Sequence, residues 1–248
     1  MSQTVVITGG SRGIGRSLTE GFVKAGYNVV VGARNASGIE DVSAERVRFF
    51  PCDVAIQSDH QRLIDAALEW TGRLDVYVNN AGVSEWRPIG AIDETFFDNM
   101  IAVNLKGTFW GCKAAAEAMP SGGVIVNISS LAGKRGTANN SMYVAAKFGV
   151  NGMTQSLAKE LGPKQIRVNA LCPVLIRTPG LIDALKTEWS PAKGDPDAFL
   201  ESFKLGNAAL GRLPTGDDVC AMALFLASDA AAAITGQCIN VDCGVLPQ

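Results

Sequence analysis

Short apolar runs rich in Val and Ile alternate along the chain with longer segments of helical periodicity. Most of these runs are continuously apolar, as expected for strands that are buried on both faces of a parallel sheet. The predicted strands are Thr4–Thr8, Asn28–Gly32, Val47–Pro51, Leu74–Asn79, Val124–Ile128, Gln165–Leu171 and Gln237–Val241. The predicted helices are Gly13–Ala25, Ser58–Thr71, Phe96–Met119, Met142–Leu161 and Asp217–Ser228. The alternation predicts one α/β domain, residues 1–248, with a Rossmann-like doubly wound parallel sheet of about seven strands and helices on both faces.

One region breaks this alternation. Residues 175–213 contain no predicted strand and are rich in Pro and Gly, with Trp189, Phe199 and Phe203 among them. Long insertions inside α/β domains are usually lids, binding loops or disordered segments, and the aromatic content argues against plain disorder. We therefore expect a partly helical lid over a substrate site, and call residues 175–213 the lid segment.

Composition narrows the class of protein. The 248 residues are 47% apolar and 19% charged with a net charge of −2, which gives no indication of nucleic acid or an anionic membrane as a partner. The six cysteines form no CxxC pair and His60 is the only histidine, so we expect no metal site and thiols in a reducing compartment. Without a signal sequence or an apolar run of about 20 residues, the expected location is cytoplasmic.

A glycine-rich loop, TGGSRGIG at residues 8–15, joins the first predicted strand to the first helix. Glycines allow the backbone to turn tightly and approach a pyrophosphate, while the helix N-terminus offers free N–H groups and the positive end of its dipole. The loop is a spacing variant of the dinucleotide fingerprint, although a purely structural turn is the alternative. The candidate cofactor-binding residues in it are Gly9, Ser11, Arg12, Gly13, Ile14 and Gly15.

The end of the second strand bears on the choice of dinucleotide. An acidic residue there would hold the ribose 2′-hydroxyl of NAD, but the chain has Arg34, and the next acids are Glu40 and Asp41. Arg34 and Arg12 offer two guanidinium groups that can clamp a 2′-phosphate. The sequence therefore favours NADP over NAD, with a pair of solvated surface arginines as the alternative.

Tyr143 and Lys147 carry the candidate chemistry. Four residues apart on a predicted helix, they share one face, and a nearby ammonium is expected to lower the pKa of a phenol. Such a tyrosine can exchange a proton with a carbonyl or alcohol oxygen. A Tyr-x-x-x-Lys pair alone also fits a solvated helix face.

Together these motifs resemble the short-chain dehydrogenases/reductases over essentially the full chain. Besides the glycine loop, the chain has Asn79-Asn80-Ala81-Gly82 after the fourth strand, and Ser130 thirteen residues before Tyr143. Further matches are Asn104, Lys147, Pro173, Ile176 and Thr178.

The resemblance implies a role for each matching residue. Tyr143 would be the acid/base, Lys147 would lower its pKa and bind the nicotinamide ribose, Ser130 would orient the substrate oxygen, and Asn104 would hold a water behind Lys147. The implied cofactor contacts are, on the adenosine side, Asp53, Val54, Asn80, Ala81 and Gly82, and on the nicotinamide side, Tyr143, Lys147, Pro173, Ile176 and Thr178.

The family expectation is an NADP(H)-dependent carbonyl reductase or alcohol dehydrogenase, assembled as a homotetramer or a dimer. The alternatives are an NAD-dependent secondary-alcohol or polyol dehydrogenase and a non-catalytic dinucleotide sensor. Two positions depart from the family pattern, since Val174 and Cys243 replace usual glycines.

Overall fold

Seven parallel strands form one sheet in the order β3-β2-β1-β4-β5-β6-β7. The structure is a computed structural model that describes residues 2–119 and 121–247. The strands are β1 Thr4–Thr8, β2 Asn28–Ala33, β3 Val47–Pro51, β4 Val76–Asn79, β5 Val124–Ile128, β6 Arg167–Pro173 and β7 Cys238–Val241. The predicted doubly wound sheet is confirmed, and its strand order reverses between β1 and β4.

The main difference among the strands is the position of β6. It begins two residues later and ends two residues later than predicted, because Gln165 adopts φ 58°, outside the strand region. The shift places Pro173 at the carboxyl end of β6. Strand β4 is also shorter than predicted and begins at Val76.

Helices cover both faces of the sheet. They are α1 Gly13–Lys24, α2 Gln57–Thr71, α3 Glu94–Ile101, α4 Gly107–Ala118, α5 Ser141–Leu161, α6 Pro179–Leu185, α7 Pro196–Asn207 and α8 Gly216–Ala227. Alternate residues of each strand point to opposite faces. One face packs Val5 and Val29 against α1 and α8, and the other packs Val6 and Val30 against α2 and α4.

The predicted long helix Phe96–Met119 is interrupted, which corrects the sequence prediction. A π-helical turn, Ala102–Lys106, separates α3 from α4. Within this turn, the Asn104 side chain donates a hydrogen bond to the Met100 carbonyl at 3.0 Å. Side-chain bonds to the carbonyl four residues earlier compete with the regular helical ladder, and π-turns often lie at functional sites.

No helix joins β2 to β3 in the described chain; thirteen residues of turns do so. Arg16 of α1 holds this connection, donating hydrogen bonds to the Gly38 carbonyl and to Asp41, each at 2.7 Å. A third bond at 2.7 Å links Arg16 to Glu20 on its own helix. The loop that carries Arg34 is thereby fixed to the helix that follows the glycine loop.

The lid segment contains α6 and α7, so the partly helical character expected of residues 175–213 is present. Its apolar side chains form a cluster with Trp86, which is the only buried member from outside the segment among the described residues.

Near the C-terminus, Cys243 adopts φ 55°, in the left-handed region that favours glycine. This backbone conformation is the physical reason why glycine is usual at that position, whereas Val174 needs no positive φ. Among the described helices, none is long and apolar enough to cross a membrane.

Candidate active site

A cavity of about 1060 Å³ opens at the carboxyl ends of the strands, beside the point where the strand order reverses. Ligands of open α/β sheets bind at this point, because the loops on either side diverge there. Apart from Asn104, every predicted site residue lines the cavity. These residues are Gly9, Ser11, Arg12, Gly13, Ile14, Gly15, Arg34, Asp53, Val54, Asn80, Ala81, Gly82, Ser130, Tyr143, Lys147, Pro173, Ile176 and Thr178.

The glycine loop leaves no room for a side chain at Gly9 or Gly15. A Cβ at Gly15 would lie 2.0 Å from the Gly9 carbonyl oxygen, and Gly9 itself has φ 64°. Gly13 also has a positive φ of 56°, and a Cβ there would lie 3.2 Å from Thr178. The loop therefore forms a cradle with bare backbone at its glycines, at the N-terminus of α1, which fits the pyrophosphate of a dinucleotide.

Asn80 connects two of the segments that surround the cradle. Its side-chain amide donates hydrogen bonds to the Thr8 and Gly9 carbonyls, each at 3.0 Å. The end of β4 is thus tied to the start of the glycine loop across the switch point. This structural use of the Asn80 amide was not anticipated from the sequence, where Asn80 was expected to face the adenosine ribose.

Two cations face the cavity next to the end of β2. Arg12 and Arg34 are both exposed, and neither side chain forms a hydrogen bond or an ion pair within residues 2–119 and 121–247. The nearest acids in sequence are directed elsewhere, since Asp41 pairs with Arg16 and Glu40 accepts a hydrogen bond from the Gly38 N–H. This end of the cavity therefore carries positive charge available to an anion.

Asp53 and Val54 follow β3 and form the neighbouring wall. The Asp53 carboxylate accepts a hydrogen bond from Ala55 N–H at 3.0 Å, and the backbone N–H of Asp53 donates to the Asp59 carboxylate at 2.9 Å. On the opposite side, Thr178 caps α6 by accepting a hydrogen bond from Leu181 N–H. Ile176 is buried beside it, so the nicotinamide end predicted from the sequence is an apolar wall that leads into the lid segment.

Tyr143 lies in the first turn of α5 beside Ser130, which follows β5. Burial raises the pKa of the Tyr143 phenol above its ordinary value, and the nearby Ser130 side chain offsets part of the rise. The sequence-based expectation was the opposite direction, from the charge of Lys147. Desolvation is the largest cause although Tyr143 is only partly buried, because the side chain lies among residues of several distant segments on the cavity wall.

The preceding serine has a different environment. Ser129 is buried, and its hydroxyl donates a long hydrogen bond of 3.3 Å to the Lys147 carbonyl. Both serines line the cavity, but Ser130 is only partly buried, and its hydroxyl accepts a hydrogen bond from Ala132 N–H at 3.1 Å. The two hydroxyls therefore have different surroundings, and Ser130 is the one next to Tyr143.

Lys147 is only 3% exposed, although it carries an ammonium group. Its Nζ donates to the Ile128 carbonyl at 2.9 Å and lies 5.6 Å from the centroid of the Tyr143 ring. Burial lowers the pKa of Lys147 to about 8, because the charged form is poorly solvated there. At neutral pH most molecules still hold the ammonium beside the phenol.

Asn104 is fully buried behind this pair rather than on the cavity wall. Its Oδ1 accepts a hydrogen bond from Val83 N–H at 3.1 Å. A Cβ at Gly82 would lie 3.0 Å from that Oδ1 and 3.8 Å from the Lys147 Nζ, so the glycine keeps the space between them open. The π-helical turn therefore brings Asn104 close to Lys147, and its role in holding a water stays a prediction.

Sequence reasoning missed two arginines that organise the surroundings of the cavity, Arg16 and Arg87. Arg16 stands four residues before Glu20, a spacing that signals a helical ion pair but not the contact with the β2–β3 loop. Arg87 contacts Phe96 and Trp189, which are far apart in sequence, so no local pattern marks it.

Within residues 2–119 and 121–247, no three His, Cys, Asp or Glu side chains are grouped as a metal site.

Comparisons with known proteins agree with this geometry. The family model described as "Enoyl-(Acyl carrier protein) reductase" matches residues 9–246. A 3-oxoacyl-[acyl-carrier-protein] reductase of Chlamydia muridarum is 35% identical over 99% of this chain and 98% of its own length. A short-chain dehydrogenase/reductase of Armillaria gallica is 36% identical over 98% and 96%. The solved structure of ElxO with NADP bound superposes with a TM-score of 0.88 at 32% identity and covers 100% of both chains. The chain belongs to the short-chain dehydrogenase/reductase family.

Proposed function

We propose that the protein is an NADP(H)-dependent oxidoreductase that interconverts a ketone or aldehyde and an alcohol. The observation that carries this proposal is the grouping of Ser130, Tyr143 and Lys147 on the wall of a cavity that the glycine cradle also lines. NADPH, when bound, supplies a hydride to the carbonyl carbon. The residues of the chain then have to bind, align and protonate the carbonyl group.

The phenol of Tyr143 is the proton donor in this proposal. Because its pKa is raised by burial, it keeps its proton at neutral pH and suits the acid role in carbonyl reduction. The Ser130 hydroxyl hydrogen-bonds to the same substrate oxygen and stabilises negative charge as it develops there. The Lys147 ammonium stabilises the phenolate left after the proton has moved. Asn104 holds a water behind Lys147 in this proposal.

Coenzyme selection falls to the cations at the end of β2. Arg12 and Arg34 are solvent-exposed and unpaired in the described structure, so they can close on a 2′-phosphate without breaking existing ion pairs. Asp53, Val54 and the backbone of residues 80–82 form the adenosine pocket, while Pro173, Ile176 and Thr178 form the nicotinamide pocket. ElxO, the structural relative with NADP bound, is consistent with this choice.

The proposed protein assembles as a homotetramer, or alternatively as a dimer. Phe109 of α4 and Phe148 of α5 are 44% and 47% exposed on neighbouring helices. Large apolar side chains exposed together favour burial against a second copy. The other proposed partner is the small carbonyl or alcohol substrate.

Replacing Tyr143 by Phe tests the acid role directly. We expect kcat for carbonyl reduction to fall by about a hundredfold or more, because the general acid is lost while the ring remains. Tyr27→Phe, a buried tyrosine outside the cavity, serves as the control. Turnover is followed by NADPH absorbance with a 3-oxoacyl thioester, a small diketone and an aromatic aldehyde. Near-native turnover by Tyr143→Phe would contradict the assignment, as would loss of NADPH binding alongside turnover.

The coenzyme proposal predicts at least about tenfold higher kcat/KM with NADPH than with NADH, because the two arginines contact only the 2′-phosphate. Arg34→Leu should lower kcat/KM for NADPH toward the NADH value and leave the NADH value unchanged. NADH is therefore the internal control. Higher kcat/KM with NADH in the native protein would instead support the NAD-dependent alternative.

The cost of burying Lys147 gives a prediction on stability. Its folded pKa of about 8 lies below the unfolded value of about 10.4, so the unfolded state binds more protons between these pH values. The penalty is fully present below pH 8 and fades as pH rises toward 10.4. Lys147→Met removes this penalty. The free energy of unfolding of the variant minus that of the native protein should therefore be larger at pH 7 than at pH 10, by about 2 kcal/mol.

Urea denaturation at both pH values measures this difference. The hydrogen bond from Lys147 to the Ile128 carbonyl is lost at either pH, so the comparison isolates the ionisation. Lys159→Met, at an exposed position near the end of the same helix, is the control and should show no such pH dependence. An equal effect of Lys147→Met at pH 7 and pH 10 would refute the buried-ammonium interpretation.

Light scattering at micromolar concentration tests the assembly. We expect a mass of four chains, and Phe148→Glu should shift it toward smaller species because it places a charge in the apolar contact. The exposed substitution Leu205→Glu, on α7 away from α4 and α5, is the control. A native protein that stays monomeric would exclude both the tetramer and the dimer.

A further inference from the structure

One arginine joins the lid segment to the segments that surround Tyr143. The guanidinium of Arg87 lies 4.2 Å from the centroid of the Phe96 ring on α3 and 5.6 Å from the Trp189 ring, in the turn between α6 and α7. It also pairs with Glu85 at 2.8 Å. Its Nε is buried and has no hydrogen-bond partner among the described residues, so the stacked position costs one unsatisfied donor.

A second connection runs through the backbone of the same residue. The Arg87 N–H donates to the Asn139 carbonyl at 2.5 Å, and the Asn139 side chain donates to the Trp189 carbonyl at 3.4 Å. Asn139 has φ 59°, a left-handed conformation that Asn tolerates better than most residues. It precedes Asn140 and, three residues further, Tyr143. The turn that leads into the helix of the proposed acid is thus bonded to Arg87 on one side and to the lid segment on the other.

The neighbouring residue strengthens this connection. Trp86 is buried, lines the cavity and packs against Ala184, Leu185 and Leu200 of the lid segment. Trp86 thus holds the lid segment by apolar contact, whereas Arg87 holds it by aromatic stacking and the Asn139 bridge. Glu85, before them, also lines the cavity, and its ion pair with Arg87 compensates the negative charge of that carboxylate on the cavity wall.

We propose that Arg87 is a positioning residue that holds the lid segment closed through Trp189 and fixes the Asn139 turn that leads to Tyr143. This inference rests on the proposed carbonyl chemistry only for its kinetic consequence. Arg87 does not line the cavity, so it acts through Trp189, Glu85 and Asn139. The physical basis is the attraction of a guanidinium to aromatic faces, which is stronger where the contact is partly shielded from water.

Matched variants separate this role from a general effect of losing an arginine. Arg87→Gln removes the stacking cation, and Trp189→Leu removes its partner on the lid segment while the pair with Glu85 remains. Arg48→Gln is the control, because Arg48 stacks on Trp70 at 4.5 Å but lies outside the cavity wall. The double variant Arg87→Gln/Trp189→Leu completes a double-mutant cycle.

The first readout needs no turnover. Trypsin cleavage after Lys186 and Lys193, both exposed on the lid segment, is followed by mass spectrometry. We expect cleavage to be about tenfold faster in Arg87→Gln and in Trp189→Leu, about the same in the double variant, and native-like in Arg48→Gln. Native-like cleavage in both single variants, or faster cleavage in Arg48→Gln as well, would overturn the inference.

The second readout is kinetic and uses the carbonyl compound of the panel with the highest kcat/KM. We expect kcat/KM for that compound to fall about tenfold in each single variant while the Kd for NADPH stays within about twofold, since the cradle and the arginine pair are untouched. Additive losses in the double variant, or an equal loss of NADPH affinity, would contradict the positioning role. If the native protein reduces no compound of the panel, the proposed function fails, and the cleavage comparison still decides the role of Arg87.

Discussion

The burial of one ammonium group organises the candidate site. Lys147 is almost fully enclosed, and its Nζ has the Ile128 carbonyl at the end of β5 as its hydrogen-bond acceptor among the described residues. A charge in this position needs polar partners within reach, because desolvation disfavours the ammonium form. The glycine at position 82 and the π-helical turn with Asn104 leave space and polar groups behind it. The local irregularities of the fold gather around this charge.

The rest of the cavity is built by connections between the ends of different strands. Asn80 ties the end of β4 to the glycine loop, and Arg16 ties the β2–β3 connection to α1. These bonds are polar and short-range, whereas the sheet itself is held by two extensive apolar faces. A parallel sheet ends in loops at the surface, and directional hydrogen bonds fix the relative positions of these loops where they carry few apolar contacts.

The sequence predicted the sheet well because its strands are runs of buried Val and Ile, which only a doubly covered parallel sheet accommodates. The residues that the family resemblance assigned to the site line one cavity, apart from Asn104, because most of them follow the carboxyl ends of strands; their roles stay predictions. The sequence did not predict the π-helical turn, because one extra residue scarcely alters the apolar periodicity of Phe96–Met119. The direction of the Tyr143 pKa shift and the contacts of Arg87 depend on walls formed by distant segments, which no local pattern encodes.

The glycine loop and the lid segment, which both line the cavity, are held by different kinds of contact. In the glycine loop, a Cβ at Gly15 would lie 2.0 Å from the Gly9 carbonyl oxygen, so the close approach of these two backbone segments requires glycine. Residues of the lid segment line another part of the cavity wall, and their apolar cluster with Trp86 is separate from the apolar faces of the sheet. Contacts of this kind open locally at lower free energy than the global unfolding of the sheet. The lid segment can therefore open locally while the glycine loop and the sheet keep their positions.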